Sequence, residues 1–309
     1  MSREAGALLD EARPAGGGGP AGGDSGAATG GLKGFVHWFR ESLADPVVSV
    51  LFPPRCVGCG DFEHHLCERC EAALEPIDGD CCPRCGEPGP RPLVGSRCAH
   101  CMGLDLAYAG SRSAFVHGGV AKRMVVGFKA GGQPVLAPLM ARLAGAAFAE
   151  SVAAARGGGR SAAAGGGSAP PGGRATAGPP VLVTWVPTHP SSQRERGYNQ
   201  AELLARALAG GLRPALPVAA LARKPVKTKH QKALDREGRQ ANLRGAFSFD
   251  RKAWDALPAK PGALVLVDDV HTTGATTQEV AHVLRDGAGL PVYVFTFSRA
   301  VSGRREGHD

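Results

Sequence analysis

Two stretches of this 309-residue sequence carry side chains whose types and spacing could do chemistry. In one, Asp268 and Asp269 stand side by side, and Thr272-Thr273-Gly274-Ala275-Thr276 follows at once. Paired carboxylates repel phosphate, so they call for another object: sugar hydroxyls or a bound Mg2+. The small residues, hydroxyls and glycine make an anion loop, where free backbone N–H groups at a helix start favour phosphate. A ribose 5-phosphate meets both demands, with its phosphate in the loop and its 2′- and 3′-hydroxyls at the acids. In the other stretch, eight of the nine cysteines form four Cys-x-x-Cys knuckles: Cys56/Cys59, Cys67/Cys70, Cys82/Cys85 and Cys98/Cys101. A two-residue gap lets both thiolates face one tetrahedral ion, and two knuckles complete a four-cysteine zinc site. In-order pairing joins Cys56, Cys59, Cys67 and Cys70, then Cys82, Cys85, Cys98 and Cys101; a cross-brace of alternate knuckles fits the spacing as well. Either way both Zn2+ ions are structural, with every ligand position filled. Gly58, Gly60 and Gly86 stand where the backbone must curl beneath the sulfurs. Cys81 is left over, a bystander or an alternative ligand to Cys82.

These groups need elements to hold them. Leu264-Val265-Leu266-Val267 is a continuous apolar run, as in a strand of a parallel sheet buried on both faces. It is expected to end at Asp268-Asp269, and open α/β sheets place their ligands at such carboxyl ends. A helix with Val280, Val283 and Leu284 on one face follows. Val181–Val186 reads as a second buried strand, leading through a basic loop with Arg194, Arg196 and Gly197 to a helix carrying Leu203, Leu204, Ala207 and Leu208. Val292–Phe297 reads as a closing strand. Val120–Lys129 and Val135–Phe148 read as helices, the second with a core stripe of Leu136, Leu139, Met140 and Leu143. Phe35, Trp38, Phe39 and Leu43 suggest a short amphipathic helix ahead of the cysteines.

Composition sets the frame. Gly contributes 45 residues and Pro 24, concentrated in 5–31 and 156–180; such stretches bury too little apolar surface to order themselves and are expected to be disordered. A net charge of +8 suits a polyanionic partner and excludes an acidic tail protein. The start of the sequence shows no apolar targeting region, and no run approaches the ~20 apolar residues of a spanning helix. The expected location is cytoplasmic, a reducing compartment in which paired thiols are metal ligands more often than disulfides. Residues 223–247 gather Arg223, Lys224, Lys227, Lys229, His230, Lys232, Arg236, Arg239 and Arg244, a segment that could track a nucleic-acid backbone, though with few aromatic platforms. Gly17–Gly22 fits a dinucleotide glycine pattern only by low complexity, since no strand precedes it.

Residues 265–276, Val-Leu-Val-Asp-Asp-Val-His-Thr-Thr-Gly-Ala-Thr, resemble the phosphoribosyl pyrophosphate signature of type I phosphoribosyltransferases. Together with the knuckles, Val186-Pro-Thr-His-Pro190, Arg194-Glu-Arg-Gly-Tyr-Asn-Gln200 and Asn242-Leu-Arg-Gly-Ala-Phe247, about residues 43–300 resemble the bacterial ComF family. The resemblance implies an α/β protein: a double zinc ribbon ahead of a type I phosphoribosyltransferase-like parallel sheet flanked by helices. The implied division is a disordered 1–31, a helix and linker at 32–52, the ribbon at 53–104, the phosphoribosyltransferase-like domain at 105–300 with its insertion 156–180, and a frayed tail at 301–309. Loss of zinc is expected to unfold 56–101 and spare the C-terminal domain.

The implied site follows residue by residue. Asp268 and Asp269 would orient the ribose, Thr272, Thr273, Gly274, Ala275 and Thr276 would hold its 5-phosphate, and Arg194 and Arg196 would stabilise the diphosphate with Mg2+. Lys129 falls on the family's lysine. Lys227, Lys229, Gln231, Lys232, Arg239 and Arg244 fall on a mobile segment that closes over the diphosphate. The sequence departs from the pattern at His271, where an aliphatic residue is usual, and at Lys232-Ala233, where Ser-Gly is common. Three functions fit: a phosphoribosyltransferase with an unknown acceptor; a ComF-type DNA uptake factor that binds single-stranded DNA and a translocation partner, with an accessory phosphoribosyl pyrophosphate site; and a non-catalytic scaffold.

Overall fold

A computed structural model of the protein describes residues 53–79, 81–89, 94, 97–157, 178–226, 243 and 245–301. All belong to one compact unit, Phe52–Asp309. The expected disordered start, the helix around Phe35–Leu43, residues 158–177 of the insertion and the tail from 302 lie outside the described residues.

Four strands form one parallel sheet: β1 (Gly110–Val116), β2 (Val181–Trp185), β5 (Ala263–His271) and β6 (Val292–Arg299), in the order β1-β6-β5-β2. The central strands are the apolar runs of the sequence, and Leu264, Val265, Leu266 and Val267 are all fully buried. Strand β5 does not stop at Asp268-Asp269 as expected. It keeps pairing with β6 as far as His271 opposite Arg299. Strand β1 has no apolar run to announce it; its Ser113 is buried because its hydroxyl bonds Thr296 at 2.7 Å.

Helix α2 (Gly119–Lys129) follows β1, and α3 (Leu136–Arg156) then crosses the sheet, touching all four strands. Helix α3 is 21 residues long and, contrary to the sequence expectation, apolar enough by length and composition to cross a membrane. Alanines extend it well past Phe148, and its side with Met140, Ala144, Phe148 and Val152 is buried on the sheet, Phe148 meeting the Phe295 ring at 5.1 Å. Between β2 and β5 come α4 (Pro190–Arg196), α5 (Gln200–Gly211), a two-stranded hairpin of β3 (Ala222–Arg223) and β4 (Ser248–Phe249), and α6 (Arg251–Asp255). The basic loop read around Arg194 is thus a short helix, started by Pro190 and stopped by the left-handed Gly197. Helix α7 (Ala275–Ala288) packs on β5 and β6.

The cysteine-rich residues, which include the short helix α1 (Glu68–Ala72), join the same core. Residues 75–77 add to the sheet at β1, antiparallel: Ile77 N–H donates to the Ala114 carbonyl and Val116 N–H to that of Glu75. At the other edge, residues 217–219 pair with Val183 of β2.

Candidate functional site

The cysteines gather in order, not in a cross-brace. Cys56, Cys59, Cys67 and Cys70 form one cluster, Cys82, Cys85, Cys98 and Cys101 the other, with the sulfurs of each within 4.8 Å of one another. Tetrahedral Zn–S bonds of ~2.3 Å require sulfurs about 3.8 Å apart. The contacts run at 3.7 Å for Cys56–Cys67, 3.6 Å for Cys59–Cys67, 3.8 Å for Cys82–Cys101, 3.6 Å for Cys85–Cys98 and 3.9 Å for Cys98–Cys101, so zinc fits both. Backbone donors prepare thiolates. Burial raises the Cys56 thiol, but N–H groups of Cys67, Cys59 and Gly58 outweigh it and bring the pKa down to about 6. Those of Cys85, Arg84 and Cys98 likewise bring Cys82 to about 7 against burial. A side chain at Gly58 would strike Cys70 Sγ. Cys81 is no member of either cluster and lies against Arg112 Nη1.

The second dense site lies at the carboxyl ends of β5 and β2. Asp269 is buried, and Lys129 at the end of α2 meets its Oδ2 at 3.0 Å and its Oδ1 at 3.3 Å. Tyr198 donates to the Phe128 carbonyl at 2.6 Å and Gln200 to that of Lys129 at 3.3 Å, fixing the helix end that carries this lysine. Asp268 accepts the Asp269 N–H at 2.9 Å. It keeps some contact with solvent, yet its carboxyl is crowded by protein atoms. Burial first, and then the Asp269 charge, push it up to about 7, against the pull of Lys129. Lys129 is raised above the ordinary lysine value, chiefly by Asp269. Burial pulls Lys224 down while Asp268 opposes, and its Nζ lies 5.2 Å from the Phe247 ring. In the sequence Lys224 is one charge in a basic run; its place near Asp268 comes from the β3–β4 pairing.

Beyond His271 the chain turns into α7 through Gly274. Gly274 takes the left-handed conformation there, φ 74°, and offers no side chain to cap the helix. Thr273 Oγ1 accepts the Ala275 N–H at 3.4 Å, and the other first-turn N–H groups have no intrahelical acceptor by helix geometry. Thr272 is exposed, while Thr273, Ala275 and Thr276 are half-buried. Arg194 and Arg196 are exposed on α4, and Arg196 lies near enough to oppose the charge on Lys129. The fold therefore brings Asp268, Asp269, Thr272–Thr276, Lys129, Lys224 and Arg196 to one edge. Lys227, Lys229, Gln231, Lys232, Arg239 and Arg244 lie outside the described residues.

His271 is buried beside this loop. Its Nδ1 lies 3.2 Å from Arg299 Nη1, and its Nε2 has no partner among the described residues. A buried unpaired donor costs about 1–3 kcal/mol, so the ring is more than a filler.

Comparison with known proteins agrees with the cysteine geometry. Residues 47–102 match the double zinc ribbon domain. The chain is 35% identical over 122 residues to competence protein F of Haemophilus influenzae, covering 39% of this chain and 51% of that protein. It is 32% identical over 130 residues to the DNA utilization protein YhgH of Salmonella typhi, covering 41% and 54%. Against YhgH of Escherichia coli strain K12 it is 31% identical over 122 residues, covering 40% and 51%. The chain thus spans about half the length of the curated relatives it matches. The chain is thus similar to competence protein F and to the DNA utilization protein YhgH, with a double zinc ribbon match at residues 47–102.

Proposed function

We propose that the edge formed by Asp268, Asp269 and Thr272–Thr276 binds phosphoribosyl pyrophosphate with Mg2+, and that the chain transfers the phosphoribosyl group to an acceptor nucleophile. One observation carries this reading: a carboxylate pair near the end of a central strand lies beside a helix start whose N-cap is a left-handed glycine. Mg2+ suits the donor set. Lys129 offsets one carboxylate, and Asp268, pushed up to about 7, is short of positive charge.

In the reaction the acceptor attacks C1 as the C1–oxygen bond to pyrophosphate breaks, and positive charge spreads over the ribose ring. Asp268 and Asp269 hold the ribose hydroxyls and balance that charge. Thr272–Thr276 hold the 5-phosphate, so binding energy far from C1 positions it. Arg194, Arg196, Lys129 and Lys224 supply positive charge for the diphosphate. Bound Mg2+ would neutralise the leaving group further. Lys227, Lys229, Gln231, Lys232, Arg239 and Arg244 would close over it. The ribbon, residues 53–104, would serve the domain at 105–300 by recognising the acceptor. Calorimetric titration with phosphoribosyl pyrophosphate and Mg2+ tests the reading. The expected result is saturable binding that Asp268→Asn with Asp269→Asn abolishes in a folded protein; unchanged affinity in that variant sinks the assignment.

The relatives' names favour a second reading, a DNA uptake factor whose phosphoribosyl pyrophosphate site is regulatory. The net charge of +8 and Phe62, 51% exposed under the Arg55 guanidinium, suit single-stranded DNA. A cytoplasmic location serves both readings, because thiolate ligands persist in a reducing compartment. Single-stranded DNA affinity should fall steeply with salt, and neutralising Lys227, Lys229 and Lys232 should lower the log–log slope by about 2. A flat salt dependence removes this reading.

A further inference from the structure

The second zinc site and the loop after Asp269 meet at one buried side chain. Arg299, the last residue of β6, is 2% exposed. Its Nε and Nη2 donate to Glu87 Oε2 at 3.1 and 3.0 Å, and its Nη1 donates to the Cys85 carbonyl at 2.8 Å. Cys85 is a ligand of that site, and Glu87, two residues on, is 1% exposed. The same Nη1 reaches His271 Nδ1 at 3.2 Å. An arginine has donors only, so Nδ1 accepts and the ring proton sits on Nε2. The ring's far side lies against Gly274: a Cβ there would fall 2.8 Å from Cε1 and 2.9 Å from Nε2.

We propose that Arg299 and His271 transmit the state of the second zinc site to the loop Thr272–Thr276, which keeps its anion-binding shape only while Cys82, Cys85, Cys98 and Cys101 are gathered. Zinc closes the knuckle whose Cys85 carbonyl and Glu87 carboxylate grip Arg299. Arg299 fixes the orientation and tautomer of His271, and the ring props Gly274 in its left-handed turn. A leucine could fill this space, but it has no nitrogen for Arg299 to hold. Nε2 gains no bond among the described residues, so Nδ1 is the atom that justifies an imidazole here. Burial, and then the Arg299 charge, hold the ring's pKa down to about 3, which keeps the ring neutral near pH 7. A second connection runs parallel: Gln278 of α7 accepts from Ala107 N–H at 3.1 Å and donates to the Asp105 carbonyl at 2.7 Å. His271 is a positioning residue, and only the identity of the loop's ligand rests on the function proposed above.

Amide hydrogen exchange on the full, zinc-loaded chain tests the coupling without any ligand. Three variants serve: Arg299→Met, Arg299→Met with Glu87→Gln so that no carboxylate is left unpaired, and His271→Leu. With two zinc ions per chain still measured, exchange at 272–276 should quicken by about tenfold or more while 264–267 stay protected. In the arginine variants the His271 imidazole 15N signals should lose their fixed Nε2–H pattern. Unchanged loop exchange, or equal quickening along β5 and β6, overturns the proposal. Phosphoribosyl pyrophosphate titration reads separately: a wild-type chain that fails to bind it removes the ligand assignment, and exchange alone then decides the coupling.

Discussion

The two halves of the ribbon share ligand type and Cys-x-x-Cys spacing, and each is tied to the rest of the fold by a glutamate–arginine pair. They differ in depth. In the first half, Arg142 of α3 donates to Glu71 from Nη1 and Nη2, at 3.0 and 2.7 Å, with Glu71 38% and Arg142 59% exposed. In the second, Glu87 meets Arg299 with both side chains nearly inaccessible. The ligands follow suit: Cys59 is exposed and Cys67 half-buried, whereas all four cysteines of the second site are buried. Similar chemistry therefore gives a peripheral clasp in one half and a component of the core in the other. The expectation that zinc loss would spare the C-terminal domain treats both halves as peripheral.

Metal removal breaks or sharpens this contrast most. Cys98→Ser should forfeit the second ion, an apparent contribution of about 10 kcal/mol, and with it the cooperative unfolding of the sheet. Cys59→Ser should lose one zinc per chain yet leave the sheet's Tm within a few degrees, roughly 2–4 °C. Metal analysis with circular dichroism melting reads both, and equal Tm losses would erase the distinction. The ion pairs come next. Glu87→Gln should cost about 3–5 kcal/mol in urea unfolding, because Arg299 is left charged and buried. Glu71→Gln should cost under about 1 kcal/mol, since water screens that pair.

A further contrast concerns pH. His271 in the folded chain titrates near 3, far below a free histidine. The unfolded chain therefore takes up a proton below about pH 6.5 that the folded chain refuses. Stability from this group is full above that pH and falls as pH drops toward 3, by up to about 1.4 kcal/mol per unit. Arg142 lowers the Glu71 pKa, so that half's contribution is present above the ordinary carboxylate range and fades only below it. Urea unfolding of wild type and His271→Leu at several pH values isolates the histidine, since metal loss is common to both. Parallel curves would contradict the assigned burial.

How much of this was legible in the sequence depends on where each partner lies. The runs 181–185 and 264–267 declare themselves because both faces of those strands are buried. Strand β1 does not, because Arg112 and Ser113 look solvent-facing until Glu150 and Thr296 supply partners from far along the chain. Cysteine spacing identified zinc but not the pairing, which the chain path between knuckles decides. Asp268, Asp269 and the threonine loop are contiguous and so were visible, whereas Lys129 joins them across 140 positions and the Arg299–Glu87 pair spans 212. His271 stood out as a departure, but nothing local could say what it touches.

The pairing of residues 75–77 with β1 also bears on how the chain is made. Synthesis delivers the cysteine-rich segment first, so a cover for the β1 edge already exists when that strand emerges. A chain begun after the ribbon would present the open β1 edge to its own copies, and an uncapped parallel sheet invites intermolecular strand addition. Residues 75–77 thus cover the β1 edge that strand addition would otherwise use.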